Sequence, residues 1–253
     1  MTVLLTADAT TGTSGYTLLI ADSADQVEAA QRLRHDVFAG ELGARLHGAV
    51  DGRDIDEFDD HCDHLIVRED ATRRVVGTYR MLPPAAAERA GRRYADGEFD
   101  MSRLSPLRDQ LVETGRSCVH PDHRGGAVVN LMWAGIARYL HLKNLRWLGG
   151  CASIPLDDGG ALAAGVWSRV SAKHLSPPAL RVVPRNPWLT PESPAGDKSV
   201  QVPPLLRGYL RLGSWVCGEP AYDPDFGCAD LYVLFSMDRM DPRYRRHFLG
   251  VPR

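Results

Sequence analysis

The chain has 253 residues, of which 44% are hydrophobic and 25% charged, and its formal net charge at pH 7 is -2. This composition is typical of a soluble globular protein, and the absence of a basic excess argues against a dedicated nucleic-acid binder. No apolar stretch reaches the roughly 20 residues that a transmembrane helix needs. Five scattered cysteines without a C-x-x-C pair favour reduced thiols and a cytoplasmic location.

Apolar spacing along the chain predicts an alternation of strands and helices. Residues 1–15 are small and polar and are interpreted as a flexible leader that precedes a single domain over residues 16–253. Strands are predicted at 16–21, 64–68, 75–82, 112–119, 147–152, 215–217 and 230–236, and helices near 23–38, 129–140, 159–174 and 205–212. The segments 40–63, 83–110 and 177–204 are interpreted mainly as loops. This order predicts an α/β (α+β) fold with a mixed sheet.

The most informative motif is ETGRSCVHPDHRGGA, residues 113–127, which runs from a predicted strand through a glycine turn into a helix. Backbone N–H groups at the start of that helix, together with the helix dipole, form an anion site suited to a phosphate. The residues that would form it are Arg124, Gly125, Gly126, Ala127 and Val128. On these residues alone, a plain turn is an equal alternative.

This segment resembles the acyl-CoA-binding motif of the GCN5-related N-acyltransferase (GNAT) superfamily. The stretches LRHDVFAGELG, DEFDDHCDHLIV, VVGTYRML, ETGRSCVHPDHRGG and VPPLLRGYLRLG, in that order, resemble the ornithine acyl-carrier-protein N-acyltransferases, which make lyso-ornithine lipid. The resemblance covers most of residues 30–250. It implies a GNAT fold, in which helices flank a central twisted mixed β-sheet, here with an enlarged C-terminal half.

The same resemblance implies the reactants. The acyl donor would be acyl carrier protein or acyl-CoA, carrying a long and possibly 3-hydroxylated chain, and the acceptor would be the amine of an amino acid such as ornithine. No bound cofactor and no metal are implied. An acidic carrier protein would suit either of two arginine clusters, Arg89, Arg92 and Arg93, or Arg243, Arg245 and Arg246. Peripheral association with the inner face of the membrane stays open.

The scaffold is also related to the acyl-homoserine-lactone synthases, whose functional polar residues can be placed on this sequence. Their pattern implies substrate-binding roles for Arg34, Phe38, Asp56, Asp59 and Arg80, and catalytic roles for Glu113 and Arg116. The tryptophan that those synthases carry after the Phe is missing here, where the sequence reads GELG. This difference argues against a homoserine-lactone product.

Acyl transfer to an amine needs a neutral amine, a polarised thioester carbonyl and a thiolate that can leave. Glu113 is the candidate base. Because the ordinary pKa of glutamate is about 4.3, it must be raised by burial, act through water or mainly attract the ammonium group. The alternative is a structural carboxylate paired with Arg116. A bulge at Gly115 would bring these two side chains to one face of the strand.

The carbonyl oxygen would be polarised by backbone N–H groups of the same strand, and the candidates are Ser117, Cys118 and Val119. Cys118 itself is not expected to act as a nucleophile, since direct transfer needs none.

Four of the implied substrate residues alternate in sign and have two interpretations. The first is a set of surface salt bridges of little energetic value. The second is a buried network that shapes the amino-acid pocket, in which Arg34 or Arg80 binds the α-carboxylate and Asp56 or Asp59 binds a second amine. The run DDHCDH at 59–64 lacks zinc-ligand spacing, and no metal site is predicted.

Three alternative functions remain open on the sequence. The chain could be a short-chain acetyl-CoA-dependent N-acetyltransferase. It could also be a synthase of N-acyl amino acid or homoserine lactone signals. A third alternative is a non-catalytic protein that binds acyl thioesters.

Overall fold

A computed structural model describes residues 2–7, 15–189 and 200–249. Its strands are β1 Thr2–Ala7, β2 Tyr16–Ile20, β3 Ala49–Val50, β4 Arg53–Asp54, β5 Asp63–Glu69, β6 Val75–Leu82, β7 Phe99–Asp100, β8 Leu111–Val119, β9 Trp147–Pro155, β10 Val183–Pro184, β11 Trp215–Val216, β12 Ala221–Asp223 and β13 Cys228–Ser236. Its α-helices are α1 Ala24–His35, α2 Pro84–Arg89, α3 Ala127–Leu142, α4 Ala161–Lys173, α5 Pro204–Leu212 and α6 Pro242–Leu249. Of the helices described, none is both long and apolar enough to cross a membrane.

The chain divides into two compact units. Unit 1 comprises Met1–Ala90, Thr114–Leu145 and Pro242–Arg253, and unit 2 comprises Gly91–Glu113 and Arg146–Asp241. The boundary passes through β8, between Glu113 and Thr114. The single domain over residues 16–253 stays a prediction.

Unit 1 is built on the strand order β1-β2-β5-β6-β8, and β1, β2, β5 and β6 pair as an antiparallel meander. Successive residues of a strand point to opposite faces, and Leu18 and Leu19 of β2 show this alternation. Leu19 packs with Ala30 of α1 and Ile66 of β5, whereas Leu18 lies against Gly135 of α3. Helices α1 and α3 therefore cover opposite faces of these strands.

Unit 2 contains the mixed part of the sheet. β8 pairs in parallel with β9, from Leu111 opposite Trp147 to Glu113 opposite Gly149. β9 pairs antiparallel with β13, which in turn pairs antiparallel with β11 and β12. A core that includes Phe99 and Tyr232 covers one face. Parallel and antiparallel pairs, with helices between strands, confirm the predicted α/β (α+β) class.

Replacement of Gly149 by alanine is expected to destabilise unit 2. A Cβ atom at this position would lie 2.1 Å from Tyr232 Oη and 2.9 Å from Tyr232 Cζ, and the Tyr232 ring is fully buried. Overpacking of this kind costs about 1–3 kcal/mol, measurable as a lower free energy of unfolding in urea. Gly40→Ala, where no atom lies within 4 Å of the added Cβ, should cost nothing, and equal losses in both variants would contradict the packing argument.

Most predicted elements match the structure, and the differences have physical causes. Thr2–Ala7 forms a strand paired with β2, so the interpretation of these residues as a loose leader is wrong; residues 8–14 lie outside the described residues. β1 contains the apolar residues Val3, Leu4 and Leu5, of which only Leu4 is buried, and the small polar residues that follow them led to the interpretation of the whole stretch as a leader. The segment 83–110, interpreted as a loop with at most a helical turn, contains α2, β7 and 3₁₀ turns.

Candidate active site

Three arginines and three aspartates form a buried network in unit 1. Its members are Arg34 on α1, Asp54 on β4, Asp56 and Asp59 in the turn before β5, Arg80 on β6 and Arg116 on β8. Arg34 donates from Nε to Asp54 Oδ2 at 2.9 Å and from Nη1 to Asp59 Oδ1 at 2.9 Å. Its Nη2 donates to Asp59 Oδ2 at 2.6 Å and to the Asp54 carbonyl.

The other two arginines complete the network. Arg80 Nη1 donates to Asp56 Oδ1 at 2.5 Å and to Asp59 Oδ1 at 3.0 Å. Arg116 Nε donates to Asp54 Oδ2 at 3.1 Å, and its Nη2 lies 3.3 Å from Asp56 Oδ2. Three positive and three negative charges thus balance one another, and this balance is what allows them to be buried.

The electrostatics of the network keep Asp56 and Asp59 ionised. Burial alone would raise the pKa of Asp59, but the hydrogen bonds and charges of Arg34 and Arg80 outweigh burial and hold that pKa well below its usual range. At Asp56, burial would also raise the pKa, but the charges of Arg80 and Arg116 outweigh burial and lower it. These carboxylates are therefore poor proton acceptors at neutral pH, and they act as fixed charges.

The network decides between the two interpretations of its residues. Arg34 has no exposed side-chain surface, and only 3% of the Asp59 side chain is exposed, so the surface salt-bridge interpretation is wrong. All three nitrogens of Arg34 already donate to protein acceptors, which argues against direct binding of a substrate carboxylate; the substrate-binding role of Arg34 stays a prediction. Among the described residues, the hydrogen bonds of Arg80 to carboxylates come from Nη1, so its guanidinium remains a candidate for binding the substrate carboxylate.

Two members of this site were not singled out by sequence. Asp54 bridges Arg34 and Arg116, and Gln31 Nε2 donates to Asp59 Oδ2 at 3.2 Å. Asp54 lies on a two-residue strand inside a Gly- and Asp-rich segment, where no periodicity marks it. Gln31 occupies a buried position of α1 that the apolar spacing alone does not reveal.

Phe38 lies on a π-helical turn, Asp36–Glu41, that continues α1. The phenyl side chain is buried, with 8% of the residue exposed. π-helical turns are rare and occur often at functional sites. The predicted helix over residues 23–38 therefore changes its winding just where Phe38 must point inward.

Glu113 ends the parallel pairing of β8 in unit 2 and is 5% exposed. Its Oε2 accepts the Tyr94 backbone N–H at 2.7 Å, and its Oε1 accepts that of Ala95 at 3.0 Å. Burial raises the pKa of Glu113 to about 6, although these two backbone hydrogen bonds and the charge of Arg93 oppose the shift. A carboxylate with this pKa is ionised at neutral pH and is a stronger base than an ordinary glutamate.

Strand β8 leaves the extended conformation at Arg116, whose φ is 51°. This left-handed value is rare for a residue with a side chain and is a form of strain found at functional sites. The irregularity was predicted at Gly115, where the missing Cβ makes it cheapest, but Gly115 does not have a positive φ. The two ion pairs of Arg116 with Asp54 and Asp56 hold the strained residue in place.

The predicted phosphate-binding turn does lead into a helix. Gly126 is the N-cap of α3 with φ 97°, a value that favours glycine, and Ala127 and Val128 are the first helical residues. The first backbone amides of a helix have no partner within the helix. Arg124 nevertheless forms a two-pronged ion pair with Glu41, with both distances 2.7 Å, so an arriving phosphate would compete with this carboxylate.

The sequence also predicted that the thiol of Cys118 does not act as a nucleophile. Cys118 is buried, which raises the pKa of its thiol to about 12, and a thiol with this pKa is a poor nucleophile.

Arg93 is 6% exposed and donates to the carbonyls of Arg108 and Leu111, so its placement in an exposed cluster for a carrier protein is wrong. Arg89 and Arg92 are exposed, as are the three arginines of α6, Arg243, Arg245 and Arg246.

Comparison with known proteins connects this geometry to a family. A model described as an acetyltransferase (GNAT) domain matches residues 33–134, a range that contains the whole charged network and Glu113. The L-ornithine N(alpha)-acyltransferase of Brucella abortus is 34% identical over 248 residues, which cover 90% of this chain and 87% of that protein. The enzyme of the same name from Rhodobacter capsulatus is 36% identical and covers 92% and 94%.

This chain belongs to the L-ornithine N(alpha)-acyltransferase family. It is an acyltransferase, and the predicted GNAT fold is confirmed. The relatives that are 34–36% identical over about nine-tenths of this chain are named as acyltransferases. The non-catalytic alternative is thereby set aside.

Solved structures extend the likeness of fold beyond the family. The acyl-homoserine-lactone synthase LasI superposes with a TM-score of 0.56 at 12% identity, covering 95% of this chain and all of that one. BjaI, a CoA-dependent acyl-homoserine lactone synthase, gives 0.54 at 18% identity and covers 91% and 85%. At these identities the likeness concerns the fold alone.

Proposed function

We propose that the chain transfers a long acyl group from a thioester to the α-amino group of ornithine, forming an amide. The observation that carries the proposal is the set of relatives named L-ornithine N(alpha)-acyltransferase, at 30–36% identity over about nine-tenths of the chain. The amine nitrogen attacks the thioester carbonyl carbon, the C–S bond breaks, and the departing thiolate takes up a proton.

Glu113 is the base in this proposal. A free α-amine has a pKa of about 8, so most of it is protonated at pH 7 and cannot attack. Glu113 is buried, with a pKa of about 6, and can receive the ammonium proton, directly or through water. Since both of its oxygens already accept one backbone N–H, its orientation is set before substrate arrives.

The unit 1 residues supply the acyl-donor and carboxylate contacts in this proposal. The thioester arm would lie along Ser117, Cys118 and Val119, whose backbone N–H groups polarise the carbonyl. Its phosphate would rest on the amides at the start of α3, in exchange for the Glu41 contact of Arg124. Arg80 would bind the α-carboxylate, and the remaining network would hold Arg80 and Arg116 in position.

The donor is proposed to be acyl carrier protein, with acyl-CoA as the alternative. Carrier proteins are acidic, and α6 exposes Arg243, Arg245 and Arg246. In unit 2, a pocket of about 340 Å³ is lined by three further arginines, Arg169, Arg207 and Arg211. Either surface would attract an acidic partner.

The experiment is mass spectrometry of products after the purified chain is incubated with 3-hydroxyacyl carrier protein and a pool of amino acids. An N-acylornithine is expected, and its mass gives both the amine and the chain length. A parallel reaction with acyl-CoA identifies the donor. Acylation of a different amine, or transfer of acetyl groups only, would contradict the proposal and favour one of the two catalytic alternatives.

A further inference from the structure

The pocket of about 340 Å³ in unit 2 is lined by positive side chains, and none of its described lining residues is acidic. Arg169 from α4 and Arg207 and Arg211 from α5 contribute three guanidinium groups, and His174 follows the last residue of α4. Pockets that bind small ligands range from about 300 to 1,000 Å³. This pocket therefore has room for a small ligand.

The chain on both sides of the pocket lacks acidic residues. Neither residues 161–189 nor residues 200–218 contain an aspartate or glutamate, although the whole chain has 32 of them. The arginines and lysines of these two stretches are Arg169, Lys173, Arg181, Arg185, Arg207 and Arg211. Arginine is common throughout the chain, so the absence of acidic residues is the stronger sign of a local positive field, which attracts anions.

The three arginines of the pocket have no carboxylate partner in the described part of the chain, in contrast to the arginines of the buried network. Arg169 Nη1 donates to the carbonyl of Val200 at 3.1 Å, which orients that guanidinium but does not cancel its charge. Arg207 and Arg211 are four residues apart on α5, and like charges at this spacing destabilise a helix. The pocket thus collects positive charge at a cost to the folded chain.

The position of Arg207 in α5 is also unfavourable for a cation. The helix begins at Pro204, so Arg207 lies in its first turn, which contains no acidic residue. The helix dipole favours anions at this end and cations at the other end. The dipole therefore accounts for Arg211 in the last turn, but it does not account for Arg207. A bound anion would supply the missing compensation.

His174 responds to the same positive charges. Burial and the charges of Lys173 and Arg169 lower its pKa, so the imidazole is neutral at pH 7 and can still donate one N–H to an anion. An anion in the pocket would oppose the effect of the two cations and raise this pKa. His174 is therefore a built-in reporter of anion binding.

The lining of the pocket favours a phosphate monoester among anions. Arginine presents its N–H donors in a planar fork that fits phosphate oxygens, and a phosphate monoester carries a charge of about −1.5 to −2 at pH 7. Gln201 adds an amide, and Val202 and Leu210 add an apolar wall. This wall suits a carbon group attached to the phosphate, and inorganic phosphate would leave it uncovered.

We propose that this pocket binds a phosphate monoester, with Arg169, Arg207 and Arg211 holding the phosphate group. The site shares no residue with the phosphate contact proposed at the start of α3, and it does not depend on the proposed acyl transfer. It narrows the attraction of the pocket for an acidic partner to one chemical group. A soluble ester and the headgroup of phosphatidic acid offer the same chemistry.

Isothermal titration calorimetry of the full chain with glycerol 3-phosphate tests the proposal. Wild type should bind the ester at one saturable site. Arg207→Gln should raise Kd about tenfold, the lower end of the effect of one charge-assisted hydrogen bond, because the side chain is exposed. Arg207→Gln combined with Arg211→Gln should raise Kd about 100-fold. Since both side chains are exposed, the variants are expected to fold.

The matched control is Arg146→Gln. It removes the same charge from another exposed arginine of unit 2, one that pairs with Asp238, and it should leave Kd unchanged. Succinate, a dianion without the phosphate geometry, should bind at least about tenfold more weakly than the ester. Equal Kd values for the ester in wild type and in the double variant, or equally tight binding of succinate, would overturn the proposal.

Flotation with vesicles separates the two sources of the ester. Binding to phosphatidic acid vesicles but not to phosphatidylcholine vesicles, lost in the double variant and kept in Arg146→Gln, would assign a lipid headgroup. Binding of glycerol 3-phosphate without vesicle binding would assign a soluble ester, and binding of neither would overturn the proposal.

A proton NMR titration of His174 gives an independent readout of where the ester binds. The pKa of His174 should rise when glycerol 3-phosphate is present, because the bound anion favours the protonated imidazole. In the double variant the ester should leave this pKa unchanged. Binding of the ester to wild type without a change in the pKa of His174 would place the ester elsewhere and overturn the proposal.

Discussion

Replacing Asp59 by asparagine is expected to lower the free energy of unfolding by about 3–5 kcal/mol. The carboxylate accepts hydrogen bonds from Arg34 and Arg80, and both arginines are nearly or fully buried. Without Asp59, three arginines face two aspartates, and one positive charge is left buried without compensation. A protein of ordinary stability has only about 5–15 kcal/mol in total, so urea denaturation will show the loss clearly.

The matched control for this variant is Glu28→Gln on α1, the helix that carries Arg34. Glu28 also pairs with an arginine, Arg32, but both side chains are exposed, at 42% and 51%. Water and salt screen such a pair, so the denaturation midpoint should stay near that of wild type. Similar losses in the two variants would mean that burial does not set the energy of the network.

Acid should weaken the same network. The pKa of Asp59 and of Asp56 is lowered in the folded chain, so the folded state holds protons less tightly than the unfolded state. The stability that these groups contribute is complete above the unfolded pKa of about 4 and is lost as the pH falls below it. In Asp59→Asn, the part of the acid-induced loss of stability that is due to Asp59 should be absent.

The second large effect is expected at Glu113. Replacement by glutamine should lower kcat by about 10²- to 10⁴-fold, the usual contribution of a general base. The amide cannot take the ammonium proton, while its carbonyl oxygen can still accept one of the two backbone hydrogen bonds from Tyr94 and Ala95. Initial rates with ornithine and the acyl donor measure the loss, and circular dichroism checks that the variant is folded.

The pH profile distinguishes a base from a structural carboxylate. The pKa of Glu113 is about 6, so wild-type kcat/KM should fall about tenfold per pH unit below pH 6. In Glu113→Gln the residual activity should lose this acidic limb. A variant that unfolds more easily but keeps the wild-type rate and profile would show that Glu113 only anchors the turn at Tyr94 and Ala95.

A raised pKa at Glu113 also has a cost for folding. The folded state holds this proton more tightly than the unfolded chain, whose glutamate pKa is about 4.3. The contribution of Glu113 to stability therefore falls as the pH rises from about 4 to about 6 and stays low above that range. This trend is opposite to that of Asp59, so the two carboxylates can be told apart by the pH at which each variant differs from wild type.

Local sequence patterns were sufficient to predict most of the secondary-structure elements and to identify the family. The apolar alternation of β5 and β6, the helical spacing of α3 and the glycine turn before it are properties of neighbouring residues, and each element forms where its pattern predicts. The ordered motifs that carry Arg34, Asp56, Arg80 and Glu113 are equally visible in the sequence, because each is a short run of neighbouring residues.

Pairing between distant residues was visible only in three dimensions. The burial of Arg34 depends on Asp54 and Asp59, which follow it by 20 and 25 residues, and no local pattern distinguishes such a pair from a surface salt bridge. The site of strain in β8, at Arg116 and not at Gly115, follows from the two aspartates that hold its guanidinium. Glu98 and Asp230 are 132 positions apart in the sequence but lie close together in unit 2. The energy of a buried charge depends on all the groups that surround it, and these are known only from the tertiary structure.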